Sequence, residues 1–395
     1  MVSQKMFELG RRSSKIRQIA EYGRARKAEI GNEKVFDFSL GNPSIPAPEK
    51  VREELIRLIE TTPAEVLHGY TSSAGDMGVR ESIAKYLSET FGANADASLI
   101  YMTCGAAASL CISFTALLAK GDEVIVPSPY FPEYKVFIEK AGGVTVTVPC
   151  EDKTFKLDIK AIEAAINERT RIVLINTPNN PTGAVYSERE IKALADLMQK
   201  KEKELNREIY LLSDEPYREL YYGEGKLPFV PNYYKRSIVA YSYSKSLSLP
   251  GERIGYIFVS PECPSADDVF AAVCGAGRSL GYVCAPALFQ RMIPGVLGLT
   301  SDISEYRENR EILVGALTEM GYELTPPDGA FYMFIKSPED DAELFCERAK
   351  KHEILLVPSD DFGVKGYARL AYCTSRATVI NSLPAFKALM DEYKK

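Results

Sequence analysis

Two histidines, His68 and His352, are the whole imidazole supply of this 395-residue chain, and neither has ligand-type neighbours. A histidine-built zinc centre and a Ser-His-Asp hydrolase are therefore set aside, and no metal site is expected. No CxxC occurs. The eight cysteines, at 104, 111, 150, 263, 274, 284, 346 and 373, are scattered in a way that suits reduced thiols rather than a disulfide frame. No apolar run approaches a membrane span, and the opening MVSQKMFELGRRSSKIRQ has charge but no apolar signal region. A basic excess is missing too: the formal net charge of -6 argues against nucleic acid or an anionic membrane as partner. The expectation is a cytoplasmic protein whose chemistry runs on something other than histidine or metal. What is present, 46% hydrophobic and 26% charged residues, is ordinary for a globular chain long enough for two domains.

Along the chain, a helical pattern over 15–28 is followed by a short strand at 35–40 that breaks at Gly41-Asn42-Pro43. Apolar spacing predicts helices over 49–59 and 79–91, the second closed by Gly92. From residue 99 onward strands and helices alternate. Strands are expected at 99–103, 123–126, 144–148, 171–176, 208–213, 237–241 and 254–259. Helices are expected from Gly105 to 119, to 141, over 158–167 and over 187–204. Such alternation argues for a mostly parallel sheet covered on both faces. Beyond a long helix at 300–320, short strands at 331–335, 354–357 and 368–371 mix with helices at 340–351 and 378–393, the texture of a smaller α+β domain. Proline- and small-residue-rich segments near 41–48 and 284–294 mark the boundaries.

In open α/β sheets ligands bind beyond the carboxyl ends of the strands. The chain's oddest residues fall at those ends: Gly105, Tyr130, Asn180, Asp214, Ser242 and Lys245. Lys245 follows the apolar run SIVAY, and burial lowers a lysine pKa, which makes the amine a nucleophile able to form an imine. Arg253 brings a fixed charge suited to phosphate. An imine-forming lysine beside a phosphate clamp is what pyridoxal phosphate requires of a protein. Gly105-Ala106-Ala107 opens a helix whose free N–H groups suit an anion. Asp214, after IYLLS, wants a cationic partner, and a ring N–H⁺ would serve; Tyr217, three residues on, suits a phenolate oxygen. Plainer readings use the same residues: a surface lysine in a serine-rich loop, small residues for helix–sheet packing, a packed loop tyrosine, and NNPTG as a turn.

Taken together, SKSLSLPGERIGY, PNNPTG, SDEPY and ARLAYCTS resemble the fold type I pyridoxal-phosphate aminotransferases of classes I and II, from Gly41 to Arg369. The resemblance implies an α/β large domain with a seven-stranded, mostly parallel sheet sandwiched by helices, over 48–290. It also implies a smaller α+β domain over 291–395, which the N-terminal segment 1–47 joins. The cofactor it implies is pyridoxal 5'-phosphate, held as an internal aldimine by Lys245, which then carries the Cα proton. Asp214 would pair with the ring nitrogen, Asn180 and Tyr217 with the phenolic oxygen, and Tyr130 would stack on the ring. Ser242, Arg253 and the Gly105–Ala107 backbone would hold the phosphate, joined by Tyr70 from the other subunit of a homodimer with shared sites. Arg369 would bind the substrate carboxylate, assisted by Asn180 and the Gly41 backbone. The chain departs from many relatives in the three alanines at 106–108, where they place a hydroxyl or aromatic residue.

The activity implied is transfer of an amino group from an L-amino acid to a 2-oxo acid. A carbon–sulfur β-lyase or related lyase on the same scaffold is the alternative, and a non-catalytic ligand-sensing domain is a third reading. No helix-turn-helix precedes residue 35 to support the last.

Overall fold

Strands whose residues are apolar at successive positions must be buried on both faces, and the large sheet shows this directly. In Glu123–Ser128, Val124 and Val126 pack on one side of the sheet and Ile125 on the other. The structure is a computed structural model that describes residues 2–11 and 14–394. Among these, twelve strands occur. They are β1 (Phe36–Asp37), β2 (Ile100–Thr103), β3 (Glu123–Ser128), β4 (Val144–Pro149), β5 (Thr170–Asn176), β6 (Tyr210–Asp214), β7 (Ser237–Ser242), β8 (Gly255–Val259), β9 (Tyr332–Lys336), β10 (Ile354–Leu355), β11 (Val357–Pro358) and β12 (Tyr367–Ala371).

Seven of them form one sheet in the order β2-β8-β7-β6-β5-β3-β4. Only β8 runs against its neighbours, β2 and β7. The parallel register brings Asn176 beside Asp214 and Asp214 beside Ala240, so these strands end along one edge. Because β8 is reversed, it starts at that edge: Gly255 pairs with Ser242 on one side and Thr103 on the other. The turn that feeds β8 therefore delivers Arg253 to the place where the other strands finish. Helices Ala106–Leu117 and Ala266–Ser279 cover one face. Helix Glu188–Leu205, begun by a Ser187/Glu190 capping box, buries Ile191, Leu194 and Met198 on the other.

The remaining strands build the smaller unit, with β9, β11 and β12 antiparallel and helices Ser304–Met320, Ala342–Lys351 and Arg376–Asp391 packed around Phe331, Leu317 and Phe386. β1 pairs in parallel with β10, Phe36 opposite Ile354, which ties the N-terminal segment to this unit. Three expectations change here. The strand expected over 35–40 is only Phe36–Asp37, and the single strand expected over 354–357 is two short ones serving different sheets. The long helix starts at Ser304 rather than 300.

Candidate active site

The strand edge opens into a cleft of about 280 Å³, and the residues singled out from the sequence meet there: Gly41, Ala106, Ala107, Asn180, Asp214, Tyr217, Ser242, Lys245, Arg253 and Arg369 all line it. Lys245 sits in the single helical turn Tyr243–Ser246 that follows β7. Its Nζ donates to the Gly41 carbonyl at 2.7 Å and lies 5.4 Å from the Phe331 ring centroid. Burial pushes its pKa down to about 8, with Arg253 and Arg369 adding to the effect and Cys373 opposing it. A minor but appreciable fraction of the amine is therefore neutral near physiological pH.

Asp214 ends β6 with a buried carboxylate. Oδ2 accepts from the Tyr134 hydroxyl at 2.5 Å, whereas Oδ1 has no partner. Burial raises this carboxyl to about 7; the Tyr134 hydrogen bond holds it down and Glu215 pushes it up. Asn180 accepts from Arg369 Nη1 at 3.1 Å, and Arg369 Nη2 donates to the Ser39 carbonyl at 2.6 Å. The guanidinium lies 4.7 Å from the Tyr332 ring centroid, is buried, and has its Nε unpaired. Burial depresses its pKa, yet an arginine stays charged at any ordinary pH. Tyr217 and Tyr332 share a hydrogen bond of 3.0 Å.

Below them lies an anion-sized cradle. Arg253 Nη1 donates to Ser244 Oγ at 3.3 Å and Nη2 to the Cys104 carbonyl at 3.1 Å, while the Ser242 and Ser244 hydroxyls are 2.7 Å apart. Gly105, at φ +83°, turns the chain from β2 into helix Ala106–Leu117, and a Cβ there would stand 2.6 Å from Arg253 Nη2. The positive φ favours glycine there, and any side chain would push the Arg253 guanidinium aside. The exposed first N–H groups of that helix complete the cradle.

One expectation is redirected. Tyr130 is not brought into the cleft. Its N–H donates to the Phe362 carbonyl, and its ring lies so close to Gly363 that a Cβ there would stand 2.6 Å from it. The next residue, Phe131, lines the cleft instead. Gly41 lines the cleft together with Arg369; its carbonyl accepts from Lys245, and a Cβ on it would collide with the Tyr332 hydroxyl. Tyr70 lies outside the cleft and is 88% exposed. Four residues were not foreseen: Tyr134, Asn176, Ser244 and Tyr332. Asn176 carries the same signal as Asp214, a polar residue closing an apolar strand; the other three are marked only by being one turn or one sheet away.

A family model described as aminotransferase class I and II matches residues 33–384. The chain belongs to the class I and II aminotransferases. Among curated relatives, the aspartate aminotransferase of Thermotoga maritima is 33% identical over 349 residues, 87% of this chain and 88% of its own length. Among solved structures, an amino transferase from Eubacterium rectale is 51% identical with a TM-score of 0.98, covering 100% of both chains. Aspartate aminotransferase from Thermus thermophilus, solved with maleate, gives a TM-score of 0.85 at 27% identity, covering 98% of this chain and 100% of its own. This aminotransferase has the fold type I architecture of those neighbours: a seven-stranded, mostly parallel sheet between helices, with a smaller sheet domain. No helix among its described residues is long and apolar enough to cross a membrane.

Proposed function

We propose that this aminotransferase uses pyridoxal 5'-phosphate to carry the amino group of an L-amino acid to a 2-oxo acid, 2-oxoglutarate being the expected acceptor, by a ping-pong sequence. The observation that carries the reading is the cleft's set of unmet polar groups. Asp214 Oδ1 and Arg369 Nε are buried without partners, beside an amine at Lys245 that burial has made partly neutral. A ring N–H⁺ answers the first and an α-carboxylate the second, while Arg253, Ser242, Ser244 and the first turn of helix Ala106–Leu117 answer a phosphate. The residues present therefore fit the cofactor.

Bound there, pyridoxal phosphate supplies an electron sink for the pair left when an amino acid Cα loses its proton. The chain's own residues do the rest. Lys245, first the nucleophile that holds the cofactor aldehyde, is then the neutral base that takes the Cα proton, and its fixed position makes the transfer effectively intramolecular. Arg369, steadied by Asn180 and the Ser39 carbonyl, fixes the carboxylate so that the Cα–H bond, not the carboxylate bond, is the one presented for cleavage. Tyr217 and Asn180 are assigned to the phenolic oxygen, and Phe131, in the place first given to Tyr130, to the ring face. Tyr70 is assigned to the phosphate of the neighbouring subunit in a homodimer, a reading supported by its exposure outside its own cleft. The large domain is assigned to 48–290 and the smaller one to 291–395 with 1–47; the β1–β10 pairing supports the joining of the N-terminal segment. The proposed setting is the cytoplasm, where the eight cysteines, none in a disulfide, stay reduced.

Incubation with one L-amino acid and no acceptor tests the reaction. Transfer predicts one equivalent of oxo acid per site and a stoichiometric loss of the aldehyde absorbance. Continuing release of oxo acid and ammonia would instead assign elimination.

A further inference from the structure

A second cavity, of about 260 Å³, lies outside the cleft and among the described residues shares no lining side chain with it. It opens between the end of helix Met77–Phe91, the segment 218–227 and Thr300, where the chain passes toward the smaller unit. Tyr86, Phe91, Tyr221 and Leu227 give it aromatic and apolar walls. Two carboxylates, Glu215 and Glu219, share one guanidinium there, that of Arg218. Arg218 Nε donates to Glu215 Oε2 at 2.6 Å, and the guanidinium carbon lies 5.1 Å from the Phe91 ring centroid. Glu219 Oε1 accepts from the Tyr241 hydroxyl at 2.8 Å, but Oε2 is buried with no hydrogen-bond partner. Lys226, the other cation on the lining, is exposed, and its Nζ donates to the Thr90 carbonyl at 2.8 Å. Burial raises the Glu219 pKa against the Arg218 charge and the Tyr241 hydrogen bond, and Glu215 adds to the rise. A desolvated carboxylate with an open oxygen is stabilised by a cationic donor, and aromatic walls favour an organic one.

We propose that this cavity is a second ligand site that takes a small protonated organic amine, its N–H⁺ on Glu219 Oε2 and its apolar body against Tyr86 and Phe91. Pockets for drug-sized ligands hold roughly 300–1,000 Å³, so the occupant of this space is smaller than those. The Tyr241 hydroxyl that holds Oε1 is also 3.1 Å from Ser246 Oγ, one residue past Lys245, so the site adjoins the turn that carries the amine of the cleft. Glu219 binds its ligand whether or not the cleft holds a cofactor.

The test is titration calorimetry of the full-length protein with N,N-dimethylphenethylamine, a tertiary amine that keeps one N–H⁺ at neutral pH and cannot form an imine. One equivalent per chain should bind. Glu219→Gln keeps the size and removes the charge, and it should weaken binding by about tenfold or more, the loss expected for a charge-assisted hydrogen bond. Leu227→Trp fills the cavity and leaves Glu219 in place; it should block binding too, and it decides the matter if Glu219→Gln does not fold. No saturable binding to the wild-type protein, or undiminished binding to folded Glu219→Gln or Leu227→Trp, overturns the site.

Discussion

Lys245 and Asp214 have had their proton affinities moved in opposite directions by the same cause, burial, and this has consequences for the cofactor-free protein. The lysine is held near 8 against an ordinary 10.5, so between those values the unfolded chain binds the extra proton and stability rises with pH. The aspartate is raised from 3.8 to about 7, so the folded form binds the proton and stability falls as pH climbs through that window. Replacing Asp214 by Asn should flatten the second change, on the order of a few kcal/mol, in urea midpoints measured between pH 4 and 7. An unaltered slope would mean that Asp214 titrates normally. Both residues were legible because each charge falls where an apolar strand finishes, Asp214 at the end of β6 and Lys245 just past β7. Tyr130 and Phe131 were not distinguishable, since two adjacent rings in PSPYFP look alike until Phe362 and Gly363 of the smaller unit claim the first. Tyr134 was hidden for a related reason: its partner lies 80 residues away.

Among elements, the turn from β2 into helix Ala106–Leu117 leaves the least freedom. Gly105→Ala adds a methyl 2.6 Å from Arg253 Nη2 at a φ of +83°. Titration calorimetry should show affinity for pyridoxal phosphate at least about tenfold weaker, with the helical content kept. Equal affinity would remove the cradle from the account. Behind β6, Glu215 and Arg218 form a buried pair, and the guanidinium lies 4.6 Å from the Tyr241 ring centroid. Arg218→Met leaves the Glu215 charge unpaired, which should cost about 3–5 kcal/mol in denaturant unfolding, and adding Glu215→Met should recover most of it. The double change restoring nothing would show that packing, not charge, is at stake. Helices and parallel strands were readable from apolar period. The reversal of β8 and the division of 354–358 between two sheets were not, because both follow from which neighbour a strand meets rather than from its own pattern.

For the whole molecule, the distinguishing claim is that sites are shared across a dimer. Lys245→Ala and Tyr70→Ala subunits should each be poorly active alone. Refolded together, they should regain activity, because the hybrid contains one site with its own Lys245 and the neighbour's Tyr70. If Tyr70 served its own subunit, no hybrid site would be whole and nothing would return. Two-domain construction was legible in the change of texture after residue 300. That the N-terminal segment joins the smaller unit came from the family resemblance alone, since its link is a two-residue strand with a partner more than three hundred residues away.

Borohydride reduction of the purified protein, followed by peptide mass analysis, decides which amine holds the cofactor, because it fixes a carbon–nitrogen double bond as a stable amine. If Lys245 holds the cofactor aldehyde, a reduced pyridoxyl phosphate group will be found on the peptide that contains it. A protein that carries no such group, or carries it on another lysine, contradicts that assignment.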